Sequence, residues 1–501
     1  RKVLQRLCSV MLSIVMVTGM VPASFAADSG AKFQNGPYLL APKTTSMVVV
    51  WESTEKVSST IAYGTDENKL CDPIKVEIDA DAPDFKGSKM NLFHYKLDNL
   101  TPGTRYYYEV KLEGGETCKA SFKTLSDKPD QIRLITLSDS HIFATRKELD
   151  QAIKEFDPDL LLHCGDMVEG TGAQAEQFSF WFQGKVDNDY IHSYPVVYSS
   201  GNHDQGGIYF DTYVYSIQDE EYGAEVEGDS SLNYAGLHII TMNSNPWGLF
   251  QMNSEATGQQ ADAATIKTID NAMNWLKKDL ATDAAKNADF RLIFMHHPVS
   301  DAYTKRYIPA VIEPGKVDLL LSGHTHSYAR AVSSNPAVGA GTIYLTHQDA
   351  RTYNKKGDFF YITSTPGSGI LDVKNYGATA EGQDSKVANE TLVAKDKQQL
   401  SWSDISISPN EVLYNGEVTV TAKVTNNGKG LAAAVIPVQD NGKTRYLYQF
   451  KDGVVTLDPG KSTTLTGTLR MESLGTHTLK LADKTATVNV KYRPATFDYT
   501  N

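Results

Sequence analysis

The chain has 501 residues, of which 41% are apolar, and its formal net charge at pH 7 is −12. A chain of this length is expected to form two to four domains, and this apolar fraction excludes wholesale disorder. The acidic balance excludes a broadly basic surface for duplex nucleic acid, so a polyanionic ligand would need a local positive source such as metal ions.

Residues 1–26 are predicted to form a signal peptide. Arg1 and Lys2 precede an apolar run over 7–21, and small residues then lead to a cleavage site near Ala26. The run is short for a membrane span, and no later stretch is long enough to be one. The sequence therefore predicts a secreted or cell-envelope protein with no stable membrane insertion.

Residues 27–127 are predicted to form an all-β domain, with strands at Met47–Trp51 and Thr60–Gly64. The pattern Leu-x-x-Leu-x-Pro-Gly-x-x-Tyr-x-Tyr from Leu97 to Tyr108 resembles the E–F corner of fibronectin type III domains. In those domains a tyrosine hydroxyl anchors the corner, and Tyr106 is the candidate here. Two cysteines of this domain, at positions 71 and 118, either pair or stay free, because the sequence does not fix their separation.

Residues 128–372 are predicted to form an α/β core, because apolar strand-like runs alternate with amphipathic helices. The clearest helices are predicted at Lys147–Phe156 and over 262–280. Residues 373–400 read as a linker, since Gly, Ala and charged residues dominate. Residues 401–493 return to β-strand alternation and resemble the immunoglobulin-like adhesion modules of bacterial secreted proteins.

Five polar clusters each follow an apolar run of the core. They are Asp139-Ser140-His141, Gly165-Asp166-Met167-Val168-Glu169, Ser200-Gly201-Asn202-His203-Asp204, His296-His297-Pro298 and Gly323-His324-Thr325-His326. Open α/β sheets place ligands at the carboxyl ends of their strands, so these clusters are expected to converge. Asp, Asn and His side chains suit a pair of metal ions, which can clamp the attacking and leaving oxygens of a phosphate ester.

The order of these clusters resembles the calcineurin-like metallophosphoesterase family over residues 131–365. The resemblance implies a four-layer α/β/β/α fold and assigns two metal ions. One would be bound by Asp139, His141 and His326, the other by Asn202, His296 and His324, and Asp166 would bridge both. It also implies that a metal-bridging hydroxide attacks the phosphorus. His203, oriented by Asp204, would stabilise the transition state or protonate the leaving oxygen.

The N-terminal β-domain and the segment Gly323–Arg330 are similar to purple acid phosphatases and their bacterial relatives, which carry Gly-His-x-His-x-Tyr-x-Arg. Two departures stand out: purple enzymes have Gly at the position of His141 and a metal-binding Tyr at the position of Glu169. Without that Tyr, the charge-transfer colour is expected to be absent. The identity of the metal ions therefore stays open between Fe, Mn and Zn.

The weaker candidates are His297, Arg330 and His347, each either a substrate contact or a structural side chain. The favoured function is a secreted, acid-phosphatase-like enzyme that hydrolyses small phosphomonoesters. One alternative is a phosphodiesterase acting on nucleotide or cell-envelope diesters. Another is a non-catalytic surface adhesion protein, and in either case the C-terminal module could mediate cell-envelope association.

Overall fold

The computed structural model describes residues 23–26, 30–80, 82–85, 88–141, 147–184, 188–205, 208–248, 261–301, 303–333, 341–348, 358–377, 386–395, 399–447 and 454–492. Residues 1–22 of the predicted signal peptide lie outside the described residues. Its last residues belong to a short strand, Ser24–Ala26, that pairs with Thr117–Lys123.

The N-terminal domain packs two antiparallel sheets face to face. The larger sheet contains, in spatial order, Ser24–Ala26, Thr117–Lys123, Arg105–Leu112, Ser59–Gly64 and Ile74–Val76, and the smaller one contains Phe33–Leu40, Met47–Ser53 and Leu92–Leu97. A hairpin joins Asp84–Phe85 to Ser88–Lys89. Trp51 and Tyr108 are buried between the sheets.

The predicted tyrosine corner is present. The Tyr106 hydroxyl accepts a hydrogen bond from the backbone N–H of Thr101 at 2.9 Å, which ties the strand to the turn before it. The two cysteines of the domain are not bonded to each other: Cys118 is buried in the core, whereas Cys71 is exposed. This resolves the alternative left open by the sequence in favour of free thiols.

The first core sheet has six strands. In spatial order they are Val196–Tyr198, Leu160–His163, Ile132–Leu137, Asp358–Ser364, Ile370–Gly377 and Lys386–Ala394. The first three run parallel, and the last three are added antiparallel. The predicted linker over 373–400 is therefore wrong where it is described, because its alternating residues complete this sheet.

The second core sheet also has six strands. They are Ser230–Tyr234, Leu237–Thr241, Phe290–Phe294, Leu319–Ser322, Ile343–Thr346 and Ala329–Val332. Its four central strands are parallel, so their carboxyl ends lie at one edge. Leucines and phenylalanines of the two sheets, including Leu162, Phe294 and Leu321, share one buried cluster, so the sheets pack against each other.

Helices cover the outer faces of the two sheets. The described helices are Lys147–Phe156, Ala175–Phe182, Ser216–Tyr222, Ala263–Leu280, Asp283–Asn287, Thr304–Tyr307 and Pro309–Ile312, with a 3₁₀ turn at Asp189–His192 and a π turn at Asp211–Tyr215. The Asp262 carboxylate caps the long helix by accepting from the Thr265 N–H. Ile269, Met273 and Leu276 of that helix pack on the second sheet, whereas Ile266 in its first turn is exposed.

Residues 399–492 form further sheets, in which the strands are antiparallel except that Glu411–Leu413 pairs parallel with Lys484–Lys491. One contains Leu400–Ser408, Glu417–Asn426 and Ser462–Arg470; the other contains Glu411–Leu413, Lys484–Lys491, Gly475–Leu481, Ile436–Asp440 and Lys443–Leu447; a third pair is Ala432–Ala434 with Val455–Leu457. Strand Glu417–Asn426 alternates between buried and accessible residues, as its sequence predicts.

The N-terminal domain is joined to the core by buried contacts. Tyr38 packs against Phe182 with tilted rings whose centres are 4.3 Å apart, and its hydroxyl donates a hydrogen bond to the Tyr213 carbonyl. The Tyr213 hydroxyl in turn donates to Glu52 at 2.9 Å. Within the described residues, no helix combines the length and apolar character needed to cross a bilayer.

Candidate metal centre

The polar clusters converge at one edge of the two core sheets. Asp139 follows strand Ile132–Leu137, Asp166 follows Leu160–His163, and the 200–204 loop follows Val196–Tyr198 in the first sheet. His296 and His324 follow Phe290–Phe294 and Leu319–Ser322 in the second sheet. The parallel strands thus bring together residues that lie up to about 190 positions apart.

The first half-site consists of Asp139, His141 and His326 together with the shared Asp166. The His326 Nε2 lies 3.1 Å from Asp139 Oδ1 and 3.4 Å from His141 Nε2. The other ring nitrogen of His141 contacts the Val168 carbonyl at 3.0 Å. That contact fixes Nδ1 as the donor, so Nε2 presents its lone pair to the site.

The second half-site consists of Asn202, His296 and His324, again with Asp166. His296 Nε2 lies 3.1 Å from both Asn202 Oδ1 and Asp166 Oδ2, and His324 Nδ1 lies 2.9 Å from the same Asn202 oxygen. His296 donates Nδ1–H to the Cys164 carbonyl at 2.8 Å, which directs Nε2 inward. The structure therefore brings together two groups of side chains that both include Asp166.

Asp166 is held so that one oxygen remains available. Its Oδ1 accepts the backbone N–H of His203 at 2.8 Å, whereas Oδ2 faces His296. Burial opposes ionisation of Asp166, but the charge and hydrogen bond of His296 lower its pKa well below the usual range. Burial likewise opposes the charge on His296, yet Asp166 raises the pKa of His296 to about 9. A cation would have to displace that proton.

The backbone at the site is strained. Asp139, His141, Asp166, His324 and His326 all have positive φ, between 49° and 72°. Non-glycine residues rarely adopt this conformation, and it persists where the surrounding structure imposes it. Here it turns five candidate ligands inward from tight strand-to-loop corners.

Two glycines permit the close approach of the loops. A Cβ on Gly201 would lie 2.1 Å from Asp166 Oδ1, and one on Gly323 would lie 2.3 Å from Asp139 Oδ2. Any side chain at either position would therefore push a carboxylate out of place. The glycines that precede Asn202 and His324 in the sequence motifs are thus steric requirements of the site.

The donor set fits a pair of metal ions. Donors bound at about 2.1 Å to one ion lie roughly 3–3.5 Å apart, and the separations of 2.9–3.4 Å within each half-site match this spacing. Two carboxylates, one amide and four imidazoles suit Fe, Mn or Zn, and they do not decide between them. The centre is therefore a plausible dinuclear metal site built from Asp, Asn and His side chains.

Comparison with known families agrees with this geometry. Residues 132–328 match the model of the calcineurin-like phosphoesterase, and residues 37–124 match the purple acid phosphatase N-terminal domain. The chain contains a calcineurin-like phosphoesterase domain. All of the candidate metal ligands lie within the matched range of this phosphoesterase domain.

Purple acid phosphatases are homologous to the chain. Purple acid phosphatase 21 of Arabidopsis thaliana is 24% identical over 330 residues, covering 62% of this chain and 69% of the relative. Purple acid phosphatase 23 of the same plant is 22% identical, covering 53% of this chain and 63% of the relative. The chain thus spans about two thirds of the length of these relatives. A solved structure of PhoD superposes with a TM-score of 0.51 at 11% identity, over 74% of this chain and 91% of that one, which is a likeness of fold alone.

Asp204 has a different role from the one predicted. Its carboxylate does not contact the His203 ring; its two oxygens accept the backbone N–H groups of Gly201, Asp166, Met167 and Val168. Burial raises the pKa of this carboxyl, and the hydrogen bonds from the loop act in the opposite direction. Asp204 therefore positions the Asp166 loop of the phosphoesterase domain.

His203 is oriented by backbone atoms instead. Its Nδ1 lies 2.7 Å from the Glu169 carbonyl and 3.0 Å from the Gly170 carbonyl. Its Nε2 lies 3.9 Å from Asp166 Oδ2, and the side chain is 34% exposed. The ring therefore presents Nε2 to the site while remaining accessible from outside. The neighbouring Glu169 side chain contacts His141 Nδ1 at 3.4 Å.

Two of the weaker candidates are structural. His347 is completely buried, stacks on Phe360 and bonds to the Thr136 hydroxyl at 3.0 Å, so the possibility that it contacts substrate is wrong. Arg330 pairs with Asp458 of the C-terminal region at 2.9 Å, which agrees with the structural alternative for this side chain. Both partners lie far away in the chain, and no local pattern indicated them.

His297 lies beside the centre without facing it directly. Its ring is buried 4.5 Å from that of His324, its Nδ1 bonds to the Ser244 hydroxyl at 2.8 Å, and its Nε2 has no hydrogen-bond partner. Burial lowers the pKa of His297 well below the usual value, so it is a neutral neighbour of the ligands.

The polar segment Asn243-Ser244-Asn245 was not among the clusters predicted from the sequence. It follows strand Leu237–Thr241 at the same sheet edge, and Ser244 orients His297. The rule that found the other clusters, polar residues directly after an apolar run, would have found this one too. His163, which bonds to Ser140 at 2.9 Å and accepts the Gly165 N–H, is a buried support for both carboxylate loops.

Proposed function

We propose that the chain is an acid-phosphatase-like hydrolase of phosphomonoesters that requires two metal ions. The single observation that carries this proposal is the pair of half-sites that share Asp166 beside the accessible ring of His203. The metal ions would neutralise the charge of the phosphoryl group and supply activated water at neutral pH. One ion would be held by Asp139, His141 and His326. The other would be held by Asn202, His296 and His324, and Asp166 would hold both.

The residues of the chain perform the remaining tasks. The carbonyls of Glu169 and Gly170 accept the His203 Nδ1–H, so His203 can hold a second proton only at Nε2, the atom that faces the site. From there it can donate to a phosphoryl oxygen or to the leaving oxygen. Asp204 holds the loop of Asp166, and Gly201 allows that loop to approach.

The test is turnover of p-nitrophenyl phosphate and of bis-p-nitrophenyl phosphate by the protein reconstituted with Mn, Fe or Zn. We expect monoester turnover that depends on metal and falls strongly in Asp166→Asn. His203→Ala should retain both metal ions yet lose turnover, because it removes only the proton donor. Thr466→Val, at an exposed position of strand Ser462–Arg470 in the C-terminal region, is a control that should behave as wild type.

Other outcomes point to the alternatives. A clear preference for the diester would replace the monoesterase proposal by a phosphodiesterase acting on nucleotide or envelope diesters. If neither wild type nor Asp166→Asn hydrolyses either substrate with metal bound, the catalytic proposal is rejected and the adhesion-protein alternative stands.

We also propose the finer assignments of architecture and location. The helices packed on both outer faces of the paired core sheets support the four-layer α/β/β/α arrangement. The mainly antiparallel sheets of residues 399–492 support an immunoglobulin-like sandwich. The basic and apolar start of the sequence supports secretion, and exposed Leu413, Tyr414 and Tyr492 support envelope association through the C-terminal region. Fractionation of the producing cells, with N-terminal sequencing of the mature protein, tests secretion and envelope association.

A further inference from the structure

Helix Ala175–Phe182 presents one amide side chain to the loop that follows Asp166. The Gln177 Oε1 accepts the backbone N–H of Glu169 at 3.0 Å and that of Gly170 at 2.9 Å. The Gln177 Nε2 donates to the side-chain oxygen of Gln174, which directly precedes the helix, so the amide oxygen is the atom that faces the loop. One acceptor atom therefore holds two successive peptide groups.

The opposite edges of these two peptide groups face the metal centre. The Val168 carbonyl, which shares a peptide group with the first N–H, lies 3.0 Å from His141 Nδ1. The Glu169 carbonyl, which shares a peptide group with the second N–H, lies 2.7 Å from His203 Nδ1. In a trans peptide the N–H and C=O bonds are coplanar and point in opposite directions. The helix amide and the two imidazoles therefore hold the same two peptide planes from opposite sides.

The helix that carries Gln177 is itself held in place by the core. Phe178 and Trp181 are completely buried in the cluster that also contains Val168. The amide reaches the loop because the loop has a glycine there: a Cβ on Gly170 would lie 2.6 Å from Gln177 Nε2. The contact between helix and loop is thus close and anchored on the helix side.

We propose that Gln177 is a positioning residue that orients both His141 and His203 through these two peptide groups. The link to His203 rests on the proposed phosphoesterase function, whereas the link to His141 concerns metal binding alone. Groups that support a metal-ligating imidazole change metal affinity by about 10- to 100-fold, and a displacement of ~1 Å at a reacting group costs up to about 10²-fold in rate. A single amide oxygen would therefore couple the first half-site to the proton donor.

The test uses two variants of Gln177 and a control. Gln177→Met keeps the length of the side chain and removes the acceptor, whereas Gln177→Glu keeps an acceptor oxygen. Gln151→Met makes the same change at an exposed position of helix Lys147–Phe156. The metal-free full chain is titrated with Zn²⁺ in competition with a chromophoric chelator. The zinc-loaded protein is then assayed for kcat/KM on phenyl phosphate and on p-nitrophenyl phosphate.

We expect Gln177→Met to bind one of its two zinc ions about tenfold more weakly. Its kcat/KM should fall about tenfold further for phenyl phosphate than for p-nitrophenyl phosphate, because the more basic leaving oxygen depends more on a proton from His203. Gln177→Glu should recover most of both losses, since its carboxylate can accept the same two N–H groups. Gln151→Met should match wild type in both measurements.

Each link has its own contradicting result. Wild-type affinity for both zinc ions in Gln177→Met overturns the link to His141, and equal losses on the two esters overturn the link to His203. Losses in Gln177→Glu as large as those in Gln177→Met overturn the whole proposal, because the acceptor oxygen would then not matter. If wild type hydrolyses neither ester with zinc bound, the proposed function fails, and the zinc titration still decides the link to His141. Unchanged binding of the other zinc ion reports that each variant is folded.

Discussion

The two half-sites of the metal centre differ in charge and in support. The first contains Asp139 and shares Asp166, so two carboxylates surround it; the second adds only the neutral amide of Asn202 to the shared carboxylate. His296 of the second is completely buried, whereas His326 of the first is 31% exposed at its side chain. We therefore expect the first half-site to favour a harder or more highly charged cation and the second to bind its ion more weakly.

Removal of metal is expected to have the largest effect. Stepwise chelation with EDTA should release the ion of the second half-site first, because one fewer carboxylate holds it, and activity should vanish at that step. Metal content by mass spectrometry and residual turnover, measured on the same samples, check the order. Simultaneous loss of both ions would contradict the asymmetry.

Asp166→Asn should reduce kcat by about 10³-fold or more. The carboxylate is shared, so its loss weakens both half-sites and removes several kcal/mol of charge stabilisation. Metal content should fall below two ions per chain. A variant that keeps both ions and full turnover would show that Asp166 is not the shared ligand.

Asn202→Asp should make the half-sites more alike. The added charge is expected to strengthen metal binding at the second half-site and to slow the release of that ion by a chelator. We expect kcat to fall about 10- to 100-fold, because the charge around the leaving group changes. Asp139→Asn is the matched variant, which should weaken the first site instead. Identical chelation profiles for the two variants would remove the distinction between half-sites.

Gly323→Ala should harm the first half-site more than the second. Its Cβ would lie 1.9 Å from Ser138 Oγ and 2.3 Å from Asp139 Oδ2, so the loop must shift. We expect about tenfold weaker binding of one ion, comparable with changes in the groups that support metal ligands. Gly442→Ala, where the added Cβ meets nothing within 4 Å but φ is 85°, controls for backbone strain without a metal contact.

Tyr106→Phe should have the smallest effect, because it lies outside both half-sites. Loss of the hydrogen bond to Thr101 is expected to lower the free energy of unfolding by about 1 kcal/mol, measured by urea denaturation, without changing kcat. A change in metal content would show that the N-terminal domain acts on the centre.

Much of the candidate metal centre was predictable, because its polar clusters each follow an apolar strand in the sequence. Asp139, Asp166, Asn202 and His296 occupy the strand ends where parallel sheets converge. The helix predicted at Lys147–Phe156 has those bounds in the structure, since its periodicity is strong. The strands that replace the predicted linker were not recognised, because charged residues and glycines mask their alternation.

By itself the sequence determined the ligand types, their order and the strands they follow, since these depend on local patterns. The tertiary structure decided which partner each polar group takes. Arg330 meets Asp458 across 128 positions, His347 meets Thr136 across 211, and Asp204 accepts backbone N–H groups rather than orienting His203. Such pairs form only when loops and sheets have packed, because their distances are set by the whole fold and not by neighbours in the chain.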